Sequence, residues 1–178
     1  MNPLRCILLI VLAVSSQQNS SKPPSSQTQS VPPASCPVTL RPATAFLPPA
    51  PYPTELSAHA FWIGTDKLWT DIYEPMVWSW RPHQPGHEQD LTAKIFWFRV
   101  GYDYHTEPIP KLKVTGRRLD GPAPPLVHPQ GEATNAILGS VTASMLTGVY
   151  VPTPGCWKIT GDYQGDKLSF VVWVEPDK

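Results

Sequence analysis

The sequence predicts an all-β fold, an immunoglobulin-like antiparallel β-sandwich of about seven or eight strands. Apolar and polar residues alternate in several segments, the pattern of strands with one buried face. The clearest case is the last segment, where Trp157, Ile159 and Tyr163 alternate with polar residues. Proline contributes 23 of the 178 residues, and each proline interrupts a helix or a sheet ladder. These observations favour short strands joined by proline-rich connections over long helices.

In the first half of the domain, the patterns predict four strands after an extended, proline-rich segment over residues 36–53. The third strand places Met76, Trp78 and Trp80 on one face, and the fourth is the richest in β-favouring residues. The predicted elements are a hairpin of 60–64 and 67–73 around Thr65-Asp66, a strand over 76–81, a polar loop over 82–91 and a strand over 92–100.

In the second half, a strand over 111–119 is followed by an extended, polyproline-like edge or crossover over 120–126. Residues 132–146 suit either a strand or a short helix, and 147–151 suit a strand. The chain then ends in a hairpin whose second strand, 168–174, is apolar on both faces. Gly165-Asp166 is a dipeptide that suits its two-residue turn.

The N-terminal residues indicate export to the secreted, periplasmic or cell-envelope space. Residues 1–15 combine a cationic start, about nine apolar residues and a small-x-small cleavage site, as a signal peptide does. The apolar run is too short to span a membrane, which takes about 20 residues, so we expect no transmembrane segment in the mature chain. An uncleaved N-terminal anchor is the alternative. Residues 16–35, rich in Ser, Gln and Pro, predict a disordered tether, and 36–178 a single β-sandwich domain.

Two cysteines, Cys36 and Cys156, remain after signal removal. In an oxidising compartment such a pair is expected to form a disulfide, which would tie the start of the domain to the last hairpin. Two separate buried thiols are the alternative. A catalytic cysteine is a third and less favoured interpretation, because neither flank offers a base. The charges balance at 14 basic and 14 acidic residues, so no net field favours nucleic acid as a partner.

Several motifs together resemble a group of uncharacterised secreted bacterial single-domain proteins. The motifs are Cys36-Pro-Val-Thr39, Leu68-Trp-Thr70, the Gly-Arg-Arg-Leu-Asp-Gly-Pro-Ala-Pro-Pro-Leu string over 116–126, and Pro-Thr-Pro-Gly-Cys-Trp-Lys-Ile-Thr-Gly over 152–161 with Leu-Ser-Phe-Val-Val over 168–172. The resemblance covers most of residues 36–174. It implies export and one β domain, and it carries no activity that can be transferred.

A loop with two histidines is the nearest approach to a metal site. His83 and His87 flank a Pro-Gly turn, and His105 would have to come from another loop to complete a zinc or copper set. A solvated loop is the simpler interpretation. We expect no resident cofactor.

The aromatic residues suggest a second candidate site. Trp78 and Trp80, if exposed, would form a platform on which a sugar ring stacks, although core packing explains most aromatic residues more simply. A basic strip of Lys111, Lys113 and Arg117-Arg118 could meet an anionic polymer, or serve as a solvated face or a protected edge.

No nucleophile elbow, zinc-binding helix motif or phosphate-binding glycine loop is present in the sequence. We therefore expect a protein that is not an enzyme: a binding or interaction module at the cell envelope. Its partner would be an unknown envelope or extracellular molecule, with a glycan as one candidate. The alternative is an extracytoplasmic metal-handling protein that uses the histidine loop.

Overall fold

A computed structural model describes residues 31–82, 91–129, 131–138 and 142–176. These residues form nine strands and no helix, so the predicted all-β sandwich is confirmed. The strands are β1 (Ala60–Gly64), β2 (Trp69–Tyr73), β3 (Val77–Ser79), β4 (Ala93–Phe98), β5 (Leu112–Arg118), β6 (Thr134–Leu138), β7 (Thr142–Val149), β8 (Gly155–Tyr163) and β9 (Asp166–Glu175). The segment 132–146, left open between strand and helix, contributes to β6 and β7.

The first sheet, sheet A, has the strand order β1-β2-β4-β7-β6, and all its pairs are antiparallel. Its first hairpin closes on Thr65 and Leu68, whose main chains are joined by a hydrogen bond of 3.0 Å. The two loop residues are therefore Asp66 and Lys67, one position later than predicted. The Thr65 hydroxyl oxygen, which accepts from the Lys67 N–H at 3.2 Å, favours this register.

The second sheet, sheet B, has the order β3-β9-β8-β5. β5, β8 and β9 are antiparallel, whereas β3 runs parallel to β9 at one edge of the sheet, a pairing that the sequence did not predict. The cause is a tight corner: β2 ends at Tyr73 in sheet A, and β3 begins four residues later in sheet B. Met76, buried in this corner, accepts a hydrogen bond from the Trp173 N–H at 3.0 Å and so fixes the crossing.

The turn of the final hairpin differs in the opposite direction and lies one position earlier than predicted. Tyr163 pairs with Asp166, so the loop residues are Gln164 and Gly165 rather than Gly165 and Asp166. Both have positive φ, 56° and 95°, as the two central residues of a type I′ turn require.

The inner faces of the two sheets enclose the main core, which we call the inter-sheet core. Trp97 of sheet A and Trp157 of sheet B are both fully buried in it, and the ring of Trp97 lies 6.2 Å from that of Phe170. Gly161 is required opposite Trp97, because a Cβ atom there would lie 2.4 Å from the indole ring. The sandwich is thus packed through direct contact of large aromatic side chains.

A second cluster, the outer aromatic cluster, lies on the other face of sheet A. Its buried members are Trp62, Trp69 and Phe98, and the segment 41–58, which we call the cover segment, packs on them through Phe46, Tyr52 and Leu56. The cover segment is anchored by polar contacts: the Trp62 Nε1–H donates to the Pro53 carbonyl oxygen at 3.0 Å, and the Tyr52 hydroxyl to that of Arg99 at 2.9 Å. The proline-rich start of the domain is therefore a third layer.

The predicted disulfide between Cys36 and Cys156 is present. It closes a loop with a sequence separation of 120 residues and joins the chain before the cover segment to β8. The same stretch runs along β9, where the Thr39 N–H donates to the Val171 carbonyl oxygen at 2.9 Å and the Val171 N–H to the Thr39 hydroxyl at 2.8 Å.

Candidate functional site

The outer edge of β1 borders a groove of about 320 Å³, which we call the edge groove. It is lined by residues 60–62 of β1, by Arg41, Pro42 and residues 45–47, and by residues 54–58. This volume lies at the lower end of the range for ligand sites, about 300–1,000 Å³. The groove exists because the cover segment crosses sheet A beside an edge strand and does not pair with it continuously.

The hydrogen-bond register of β1 decides which main-chain groups face the groove. The His59 carbonyl oxygen accepts from the Glu74 N–H at 2.8 Å, whereas the Ala60 N–H donates to Ser57, away from β2. Since antiparallel ladders alternate, the N–H and C=O of Trp62 also point away from β2. Trp62, which lines the edge groove, therefore turns its main-chain N–H and C=O toward the outer edge of sheet A.

The walls of the edge groove combine apolar side chains with a charged rim. Phe46, Leu47 and Leu56 supply apolar surface. Arg41 lies 4.8 Å above the Phe61 ring, and its Nη2 lies 3.1 Å from an oxygen of Glu74, so the guanidinium is held in place at the rim. Such a mixture suits the binding of a peptide or another partly apolar ligand, and it offers no nucleophile with an adjacent base.

A second, smaller opening lies within sheet A. β2 and β4 pair only through Trp69–Phe98 and Thr70–Trp97, and the ladder ends there. The buried Thr70 hydroxyl takes the place of the next ladder bond by donating to the Phe96 carbonyl oxygen at 2.6 Å. Beyond it the strands separate around a cleft of about 100 Å³, which we call the sheet A cleft.

The sheet A cleft has polar residues at its mouth and aromatic rings among its inner walls. Trp78 and Phe170, whose rings are 6.0 Å apart, line it together with Asp71 and Tyr73. Burial raises the pKa of the Asp71 carboxyl group, and hydrogen bonds from its own N–H and from the Tyr73 hydroxyl oppose this rise in part. A carboxylate that is partly desolvated in a break of the ladder is unusual, and the cleft has room for only a small group.

A third polar group of residues closes one end of the sandwich. The Tyr163 hydroxyl donates to the Glu107 carboxylate, the other carboxylate oxygen accepts from the Lys111 N–H at 2.6 Å, and Tyr102 contacts Asn135. Burial, followed by hydrogen bonding and charge from Glu107, raises the pKa of Tyr163 to about 12, and burial with the Glu107 charge raises that of Tyr102 to about 12. Both phenols stay protonated at neutral pH, so this cluster links loops and does not supply a phenolate nucleophile.

Of the predicted metal ligands, His83 and His87 lie outside the described residues. His105 is exposed, its ring lies 4.0 Å from that of Tyr104, and its N–H donates to the Asp103 carboxylate. Within the ranges that the structure describes, no group of three or more His, Cys, Asp or Glu residues is placed to hold a metal ion.

The predicted aromatic platform is divided between two environments. Trp78 and Trp80 are both half-buried and pack against the inter-sheet core. Trp78 lines the sheet A cleft, whereas the Trp80 Nε1–H donates to the Val151 carbonyl oxygen at 2.9 Å. Of the two rings, only Trp78 lines a described cavity.

Sequence reasoning missed Arg41, Trp62 and Asp71 as site residues. A signal for Asp71 was available, because this acidic residue shares one face of β2 with Trp69 and Tyr73. No local signal marked Arg41 or the edge groove, which depend on a contact between the cover segment and β1.

Comparisons with protein families, with curated proteins and with solved structures returned no match to this chain. In the described ranges, no helix is long and apolar enough to cross a membrane.

Proposed function

We propose that this protein is an exported, non-enzymatic interaction module of the cell envelope, and that it binds an extended peptide segment of a partner protein in the edge groove. The observation that carries the proposal is that the main-chain N–H and C=O of Trp62 point away from β2, at the outer edge of sheet A, and that Trp62 lines the edge groove. An extended peptide can add to such an edge as a further strand, taking affinity from main-chain hydrogen bonds and specificity from side-chain contacts.

The groove walls define the kind of peptide. Apolar side chains of the peptide would pack on Phe46 and Leu56, and an acidic residue would lie near the Arg41 guanidinium at the rim. Since Glu74 already pairs with Arg41, the charged contact adds orientation more than affinity. We therefore expect the ligand to be an apolar stretch of three or four residues with one acidic residue.

The export leader 1–15 and the tether 16–35 belong to this proposal, and so does the immunoglobulin-like class of the sandwich. Support comes from the leader's composition, the disulfide and the two stacked sheets. If the leader is kept as an anchor, a tether of this length would let the folded domain reach partners away from the membrane surface.

Two matched variants test the edge groove. Ala45 lines the groove and Ala43 does not, although both are exposed in the same proline-rich segment. Peptides selected from a random library by the full chain should bind Ala45→Trp at least about tenfold more weakly, because the indole occupies the groove, and Ala43→Trp within about twofold. Two sets of alternate peptide residues can be N-methylated. Methylation of the set whose N–H groups face β1 should remove binding, whereas methylation of the other set should not.

A glycan array run in parallel separates the candidate ligands. If the chain selects no peptide that discriminates Ala45→Trp from Ala43→Trp, strand addition at β1 is wrong. If a glycan shows that discrimination instead, the groove is a binding site but its ligand is a sugar.

A further inference from the structure

The outer face of sheet B carries an excess of positive charge that the proposed function does not use. Alternation places Lys113, Thr115 and Arg117 of β5 on this face, next to Lys158 and Thr160 of β8, with Ser169 beyond them on β9. We call these six residues the cationic face. All are exposed except Thr160, which is half-buried. Arg118, part of the basic strip in the sequence, points elsewhere and pairs with Asp120 at 2.7 Å.

Two cations of this face lie directly opposite each other. Arg117 and Lys158 are register partners across the β5–β8 ladder, and neither forms an ion pair with a described residue. Like charges in directly opposed positions destabilise a sheet. The carboxylate on this part of the face, Asp162, is the register partner of Lys113 and pairs with Lys167 at 3.4 Å, so it does not neutralise Arg117 or Lys158.

Edge protection does not account for these cations. The free edge of β5 is already covered by the crossover that follows it, because His128 Nε2 lies 2.8 Å from the Val114 carbonyl oxygen and Leu126 packs on Gly116. Besides, the cationic side chains stand perpendicular to the sheet, whereas pairing occurs in its plane. The unbalanced charge therefore needs another explanation.

We propose that the cationic face binds a linear anionic polysaccharide. Lys113 and Arg117 are four residues apart on one strand, which separates them by about 13 Å, and Lys158 lies about 5 Å beside Arg117. The positions between them hold the hydroxyls of Thr115, Thr160 and Ser169, of which the last two are 2.8 Å apart. Cations at this spacing contact successive anionic groups of a chain, while the hydroxyl row hydrogen-bonds to the sugar hydroxyls between them.

The test measures binding of fluorescent dextran sulfate oligosaccharides to the full chain over a series of salt concentrations. Arg117→Gln/Lys158→Gln should weaken binding by at least about tenfold at low salt and reduce the slope of log K against log salt by about two. The control, Arg81→Gln/Lys94→Gln, removes the same charge from exposed positions elsewhere and should change affinity by less than about twofold.

Folding does not confuse this test, because the double variant removes a repulsion and should be at least as stable as the wild type at low salt. Equal loss of affinity in both double variants would overturn the proposal, since the effect would then be one of net charge. The same holds if no dextran sulfate binds, or if polyphosphate or single-stranded RNA of equal charge binds more tightly than the polysaccharide. Uncharged dextran should not bind.

Discussion

The molecule has two aromatic clusters, and they are built in different ways. The inter-sheet core is enclosed by paired strands on both sides, whereas the outer aromatic cluster has strands on one side and the proline-rich cover segment on the other. Strands hold their side chains through continuous ladders. The cover segment instead depends on a few side-chain bonds, such as those made by Tyr52 and Trp62.

The difference has a functional consequence. A strand laid beside β1 would have closed its edge, but the irregular cover segment leaves the edge groove open next to the outer aromatic cluster. Segments with few backbone ladder bonds open locally at lower free energy than core strands do. We therefore expect the cover segment, which lies beside the proposed binding site, to open more readily than the inter-sheet core.

The largest expected effect comes from the disulfide. Cys36→Ser/Cys156→Ser should lower the free energy of unfolding by about 4–5 kcal/mol, because the bond closes a loop with a sequence separation of 120 residues. Loss of the bond should speed amide hydrogen exchange more in the cover segment than in β8, since the bond anchors the chain just before that segment. Denaturant titration measures the stability, and reductant should leave the double variant unchanged. Equal loss of protection in both regions would mean that the two clusters unfold as one unit.

Truncation of one aromatic residue in each cluster compares them directly. Trp97→Ala should cost about 3–5 kcal/mol, because a fully buried indole leaves a cavity between the sheets. Phe46→Ala should cost about 1–2 kcal/mol, because its half-buried ring packs only on the outer aromatic cluster. Denaturant unfolding measures both free energies from the shift of the midpoint, provided that the m-value is unchanged. A larger cost for Phe46 would show that the cover segment is part of the folding core.

The two clusters also differ in how far sequence could predict them. β8 has strict alternation, and its inward residues Trp157 and Ile159 are those that the pattern places in the core. The continuous apolar run of β9 predicts a strand but not which of its side chains face inward. The cover segment has no period, because its prolines do not pair in a ladder and its contacts with sheet A come from distant residues. Its role as a layer follows from tertiary structure alone.

The candidate sites were hidden for the same reason. The sheet A cleft requires a ladder that stops after Thr70, and a strand pattern predicts its residues but not where its pairing ends. The parallel β3–β9 pair similarly depends on the corner at Met76. Local patterns predict the strands, whereas the breaks between strands, where the candidate sites lie, are set by long-range geometry.

A pH-dependent effect is expected at the end of the sandwich. Tyr102 and Tyr163 have pKa values of about 12, above the ordinary value of 10.0, so the folded state holds these protons more tightly than the unfolded state. Their contribution to stability is complete below about pH 10 and is lost as the pH rises to about 12. Glu107→Gln removes the carboxylate charge and should therefore lower both pKa values. The variant should also be less stable than the wild type before the alkaline loss of stability begins.

Tyrosinate absorbance and thermal unfolding at several alkaline pH values measure this effect. Glu55→Gln, an exposed carboxylate of the cover segment, is the control and should leave the tyrosine titration unchanged. If Glu107→Gln leaves it unchanged as well, the carboxylate does not act on the phenols.

The smallest expected effect is at the sheet A cleft. Burial raises the pKa of Asp71, so the folded state is disfavoured once this carboxyl group ionises, and wild-type stability falls as the pH rises through the folded pKa. Asp71→Asn keeps the shape and removes the charge, and should therefore raise Tm by up to about 4 °C at neutral pH but not at about pH 3, where the carboxyl is protonated in both states.

Asp66→Asn, in the exposed β1–β2 turn, is the control and should show no such difference between the two pH values. A Tm gain for Asp71→Asn that is equal at both pH values would mean that packing, and not the charge, sets the stability of the cleft. A gain confined to neutral pH would instead identify Asp71 as a carboxylate kept at the expense of stability, as binding residues often are.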